Sequence, residues 1–112
     1  MTAGVNAHDV NALMELYEPD PAGRNLAGQA YHGADSLRQL LDGLVSAAQE
    51  FELSTRNVLV TDDVALMSGD WYAVLATPEG ATSRIEGTAA EVARRQPDGT
   101  WRFLIGDPTF IN

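Results

Sequence analysis

Apolar positions recur at helical spacing twice near the start of the chain and then change to strict alternation. In "DVNALMELY", Val10, Leu13, Met14 and Tyr17 share one face at a period near 3.6, and Asp9 stands where an N-cap is expected. Pro19 and Pro21 end that pattern, because the residue before a proline is driven out of the helical region. "GADSLRQLLDGLVSAA" repeats it more strongly, with Leu37, Leu40, Leu41, Leu44, Val45 and Ala48 in one stripe. Asp35 near its start complements the positive end of the helix dipole. Gly43 inside this helix costs about 1 kcal/mol against alanine, which predicts a local packing reason for it.

From Phe51 the period becomes two. Strands are expected over about 51–60, 64–77, 82–96 and 100–107, broken by the turn sequences "TDD", "PEG" and "PDG". The segment "AGRNLAGQAYHG" between the helices has room for one or two short strands. Helices followed by antiparallel strands predict an α+β fold with the helices on one face of the sheet. With no repeat and no linker, residues 1–112 are read as a single domain. The long strands are apolar on both sides: Met67, Trp71 and Leu75 on one, Val64, Leu66, Tyr72 and Val74 on the other. The outer side then needs a cover, and a homodimer through the outer sheet face is the simplest one.

Composition narrows the function classes. The 112 residues are 45% hydrophobic, enough for one core. Lys and Arg number 7 and Asp and Glu 16, a net charge of −9 that disfavours nucleic acid and anionic membranes as partners. The absence of cysteine excludes disulfides, thiolate catalysis and cysteine metal sites. No stretch approaches the roughly 20 apolar residues of a membrane span, and "MTAGVNAHDV" lacks the basic and apolar regions of a signal peptide, so a cytoplasmic location is expected. There is no nucleophile elbow and no phosphate-binding glycine loop. His8 and His32 share no ligand spacing, so neither a metal nor a cofactor is expected.

The order of elements, from "VNAHDVNALMELYEPD" through "YHGADSLRQLL" to the hairpin "GTAAEVARRQPDGTWRFLIGDP", resembles the nuclear transport factor two-like superfamily. That superfamily includes the ketosteroid isomerases and the SnoaL-like polyketide cyclases. The resemblance covers about residues 5 to 108. It implies helices packed on a curved, mostly antiparallel sheet that wraps a conical pocket for a small, largely apolar ligand. Only residues 1–8 precede Asp9, so the long first helix of the family, which carries the isomerases' pocket tyrosine, is expected to be missing. Aligning "LYEPDPAGRNL" puts Asn25 at the isomerases' general-base position, and an amide cannot shuttle protons. By the same resemblance, Glu91 falls where the isomerases hold a protonated carboxylic acid. Asp107 falls near the acid/base aspartate of the SnoaL-like cyclases.

Strand register bears on both carboxylates. If the "PDG" hairpin pairs Arg95 with Trp101, Ala93 faces Phe103, Glu91 faces Ile105, and Asp107 follows on the same face, diagonal to Glu91. Two carboxyls on one apolar face would be pushed toward their neutral forms and suited to moving a proton. The plainer reading is that Asp107 closes a turn with Pro108 while Glu91 meets solvent or a cation. His32 either reaches the pocket mouth or sits on the surface at a helix start. Tyr17, Trp71 and Phe103 either line a ligand cavity or simply pack.

Two functions are open on this reading. One is an acid–base isomerase, cyclase or hydratase acting on a small hydrophobic metabolite, with Asp107 and Glu91 catalytic and Tyr17, His32, Trp71 and Phe103 shaping the pocket. The other is a non-catalytic, dimeric ligand-binding or accessory module.

Overall fold

Asp9 caps a helix as its sequence position requires, its carboxylate accepting the Ala12 amide at 3.0 Å. The structure, a computed structural model, describes residues 2–111. Two short helices, α1 (Thr2–Asn6) and α2 (Val10–Met14), precede strands β1 (Tyr17–Arg24) and β2 (Ala30–His32). Helix α3 (Ala34–Ala47) follows, then β3 (Ala48–Thr61), β4 (Val64–Ala76), β5 (Thr82–Arg95) and β6 (Trp101–Ile111). The six strands form one curved, unclosed sheet in the order β2-β1-β6-β5-β4-β3. The α+β architecture is the one expected from the sequence.

The first helical pattern is shorter than its apolar spacing suggests. Helix α2 stops at Met14, and Tyr17 opens strand β1 instead of closing the helical stripe. Pro19 and Pro21 lie inside that strand. Neither has an amide to donate, and the parallel register between β1 and β6 shifts between Tyr17 and Ala22, across both of them. Asn25 closes the following turn: its side-chain oxygen accepts the Ala27 and Gln29 amides, each at 3.0 Å. Ahead of α2 stands only the five-residue α1, not the long first helix of the resembled family. Its Val5 is fully buried, and the Asn6 amide exchanges two hydrogen bonds of 3.1 Å with the backbone of Phe51.

Helix α3 follows its stripe closely. Leu37, Leu41, Leu44 and Val45 are buried against the inner sheet face, each such side chain contributing about 1.5–3 kcal/mol by leaving water. Ala48 leaves the helix and begins β3. On the sheet, Phe51, Trp71, Ala73 and Ala89 complete the core. Nothing lies within 4 Å of the space a Gly43 side chain would occupy, so nothing in the structure explains that glycine.

The last hairpin keeps its predicted register only at the turn. Arg95 pairs with Trp101 and Ala93 with Phe103, as "PDG" requires. The register then slips, Val92 pairing with Ile105 and skipping Leu104. Glu91 therefore lies opposite Gly106, not Ile105, and Asp107 lies opposite Ala90. A one-residue slip exchanges the faces of a strand. Phe103 packs on the core, whereas Ile105 is 45% exposed. Ile105 also belongs to a row of cross-strand neighbours, Leu59, Leu66, Val92 and Ile105, that crosses four strands. Strand β6 does not end at Asp107 but runs on through Pro108. Among the described residues no helix is long and apolar enough to cross a membrane.

Candidate functional site

A second row across the sheet builds the floor of a cavity. Tyr31 on β2 is opposite Gly23 on β1, Gly23 is opposite Gly106 on β6, and Gly106 is opposite Glu91 on β5. Three strand spacings separate the backbones of Tyr31 and Glu91 by roughly 14 Å, with two residues lacking side chains between them. A Cβ at Gly23 would stand 2.1 Å from the Gly106 carbonyl oxygen and 3.0 Å from the Tyr31 hydroxyl. The bare backbone there lets two strands close up and lets Tyr31 lean over them. A Cβ at Gly106 would meet nothing within 4 Å.

The cavity over this floor has a volume of about 80 Å³. Leu37, Leu41 and Leu44 of α3 form one wall, and Phe51, Trp71 and Ala89 of the sheet form another. Its polar groups are few: the hydroxyls of Tyr17 and Tyr31, the carboxyls of Glu91 and Asp107, and the Arg24 guanidinium. A mostly apolar concavity with a few convergent polar groups is the usual form of a small-molecule site.

Asp107 is held by its own strand. One carboxylate oxygen, Oδ1, accepts both the amide and the hydroxyl of Thr109 at 3.0 Å. The other, Oδ2, lies 3.5 Å from Nη1 of Arg24. Strand β6 continues past Asp107, so the expected turn with Pro108 does not form; one oxygen is instead held within the strand and the other approaches Arg24. Trp71 fixes the next residue, its indole N–H donating to the Pro108 carbonyl at 2.9 Å. Gly87 opposite Trp71 makes room, since a Cβ there would come within 3.1 Å of that carbonyl oxygen.

Glu91 is placed differently. Burial pushes its carboxyl above the usual glutamate range, because the charged form loses hydration. The Tyr17 hydroxyl is also pushed up, by burial first and then by the charge of Glu91 and by Tyr31. Tyr31 is raised by burial and then by Glu91. All three groups are biased toward their protonated forms, which donate hydrogen bonds. Such a set suits a ligand oxygen that gains negative charge. Among the described residues no group of three histidine, aspartate or glutamate side chains is placed to hold a metal ion.

The raised Glu91 makes stability depend on pH in a definite direction. The folded value lies above the reference of 4.5, so ionising Glu91 opposes folding. The contribution is fully present below about pH 4.5 and is lost as pH rises through the folded value. Glu91→Gln is expected to gain stability over the native chain progressively above that pH, and to match it below. Urea midpoints at a series of pH values check this. A difference that does not change with pH would contradict it.

Of the residues singled out in the sequence, the cavity gathers Glu91, Asp107, Tyr17 and Trp71. It does not gather His32, whose exposed imidazole lies 3.3 Å from Asp20 on the surface. Nor does it gather Phe103, which packs its ring against Tyr17 at a centroid distance of 5.4 Å. Phe103 faces an adjacent apolar groove instead, shared with Leu16, Val58, Met67 and Trp101. Sequence reasoning missed Tyr31 and Arg24. Alternation could have found Tyr31, which is the neighbour of His32 in "YHG" and must point to the other face. Arg24 gave no signal, because its proximity to Asp107 depends on the parallel β1–β6 pairing.

Comparison with known proteins agrees with this architecture. The model of the SnoaL-like domain matches residues 1–103, and the chain belongs to that family. No curated protein matches. Among solved structures, an uncharacterised protein with a cystatin-like fold from Caulobacter vibrioides is 21% identical, with a TM-score of 0.79 over 99% of this chain and 82% of the other. A ketosteroid isomerase-like protein from Erwinia carotovora is 16% identical, with a TM-score of 0.81 over 94% and 83%. A protein described as a candidate dehydratase of the NTF2-like family, from Streptomyces avermitilis, is 16% identical, with a TM-score of 0.76 over 98% and 89%. At these identities the likeness is one of fold.

Proposed function

We propose that the cavity binds a small, largely apolar carbonyl compound and moves a proton on it. The observation that carries this reading is that two carboxyls, Glu91 and Asp107, line one mostly apolar cavity, with burial pushing the Glu91 carboxyl up. Carboxylate Asp107 takes a proton from the carbon beside the carbonyl, and the C–H electron pair forms a carbon–carbon double bond. The carbonyl π pair moves to oxygen, which takes the Glu91 proton to give the enol. In a β,γ-unsaturated carbonyl compound Asp107 returns the proton at the γ-carbon, and in a β-hydroxy carbonyl compound it gives the proton to the departing hydroxyl, which leaves as water; in both cases the enol O–H proton goes back to Glu91. Tyr17 and Tyr31 offer hydroxyls to the same oxygen. The fold likeness to a ketosteroid isomerase-like protein and to a candidate dehydratase supports this class of chemistry.

Hydrogen–deuterium exchange tests it. In D₂O with 2-cyclohexen-1-one, the protein is expected to speed loss of the exchangeable C–H signals above the buffer rate, read by proton NMR. Exchange at the buffer rate would overturn the proposal. Binding without exchange would assign the domain to the non-catalytic class of ligand carriers.

Two copies are proposed to associate through the outer sheet face. The support is the exposed row in which Leu59, Leu66 and Ile105 are 69%, 50% and 45% accessible in the single chain. Sedimentation equilibrium should return twice the chain mass of 12.0 kDa, and a monomer mass would overturn the association.

A further inference from the structure

We infer that Arg24 is a specificity residue, and that the ligand of this cavity carries a carboxylate on an apolar body. The inference rests on the reading of the cavity as a ligand site but not on any turnover there. Arg24 is the one cation among the described residues that line the cavity. Its backbone is fixed as the last residue of β1, opposite Ala30.

Arg24 combines a place in the cavity wall with few commitments within the protein. Arg94 and Arg95 each put two nitrogens on one carboxylate, of Glu18 and Asp63 respectively. Arg38 shares both terminal nitrogens with Asn11. Among the described residues Arg24 makes no hydrogen bond with its guanidinium, only the single 3.5 Å approach to Asp107. Asp107 does not depend on that approach, because Thr109 holds its other oxygen. The Arg24 side chain is 53% accessible, so its fork of donors faces both the cavity and the solvent from which a ligand enters. A guanidinium in that state matches a carboxylate in a two-pronged geometry that neither Tyr31 nor a lysine could reproduce.

The charge pattern agrees. With a net charge of −9, the protein repels anions unless a local cation offsets the field. The apolar walls then receive the rest of the molecule, and a volume of about 80 Å³ limits that part to a few carbon atoms.

Isothermal titration with two probes of one carbon skeleton, 3-methylbutanoate and 3-methylbutan-1-ol, tests this at pH 7.5. In the native chain the acid is expected to bind at least tenfold more tightly than the alcohol. Arg24→Gln should bring the acid down to the affinity of the alcohol and leave the alcohol unchanged. Arg24→Lys should recover only part of the preference. An unchanged acid-to-alcohol ratio in Arg24→Gln overturns the inference, as does alcohol binding that equals acid binding in the native chain. Binding of the alcohol alone overturns the role of Arg24 while sparing the cavity. Binding of neither overturns the reading of the cavity as well. Melting temperatures of both variants, expected to lie near that of the native chain, exclude unfolding as the cause.

Discussion

Gly23→Ala is expected to destabilise the protein by about 3 kcal/mol or more, at the upper end of what overpacking a well-packed position costs. The added carbon would stand 2.1 Å from the carbonyl oxygen of Gly106, and the obstacle is backbone, which cannot rotate away. Relief requires β1 to separate from β6, and β1 joins β2 to the rest of the sheet. The same movement takes Tyr31 and Arg24 away from Glu91 and Asp107. Gly106→Ala is the matched control. It adds the same atom to the partner strand, where nothing lies within 4 Å, and should leave stability nearly unchanged. Urea midpoints of the two variants check the contrast. A Gly23→Ala chain as stable as the native one would show that β1 and β6 are not paired through these glycines.

The second large effect concerns chemistry. Asp107→Asn keeps the shape of the side chain and an oxygen able to accept from Thr109, but it removes the basic carboxylate. Loss of a positioned general base typically costs about 10²- to 10⁴-fold in rate. Exchange of 2-cyclohexen-1-one catalysed by the protein is therefore expected to fall at least about 100-fold in Asp107→Asn. Its melting temperature should stay near native, since the Thr109 contacts can persist and the Arg24 contact is long and partly exposed. A rate that falls only in step with stability would make Asp107 a structural residue of β6 and nothing more.

The sequence disclosed more of the fold than of the site. Helix α3 was legible because Leu37, Leu40, Leu41, Leu44 and Val45 fall on one stripe, and the strands because alternation and the turns "TDD", "PEG" and "PDG" bracket them. The short α2 was not, since Tyr17 lies at helical spacing from Met14 but pairs as a strand with Phe103. Tertiary pairing overrides local period there. Glu91 and Asp107 do line one cavity, but not through the register that alternation suggests. The expected register put Glu91 across from Ile105, but the skipped Leu104 replaces that residue with Gly106. A bulge leaves no mark in the apolar pattern, yet here it clears the space beside Glu91. The β1–β6 pairing was invisible for a related cause. Parallel neighbours distant in sequence are joined by no turn whose length sets their register, so the approach of Arg24 to Asp107 could only be seen in the folded chain.

The central claim is that Glu91, its carboxyl pushed up by burial, and Asp107 act on one ligand in one cavity. Carboxyl carbon NMR of the two side chains, titrated with pH and then with 2-cyclohexen-1-one, tests it most directly. The account predicts that Glu91 takes up its proton above the ordinary glutamate midpoint of 4.5 and that both carboxyl signals move with a single ligand affinity. An ordinary midpoint for Glu91, or a ligand that moves neither signal, would contradict it.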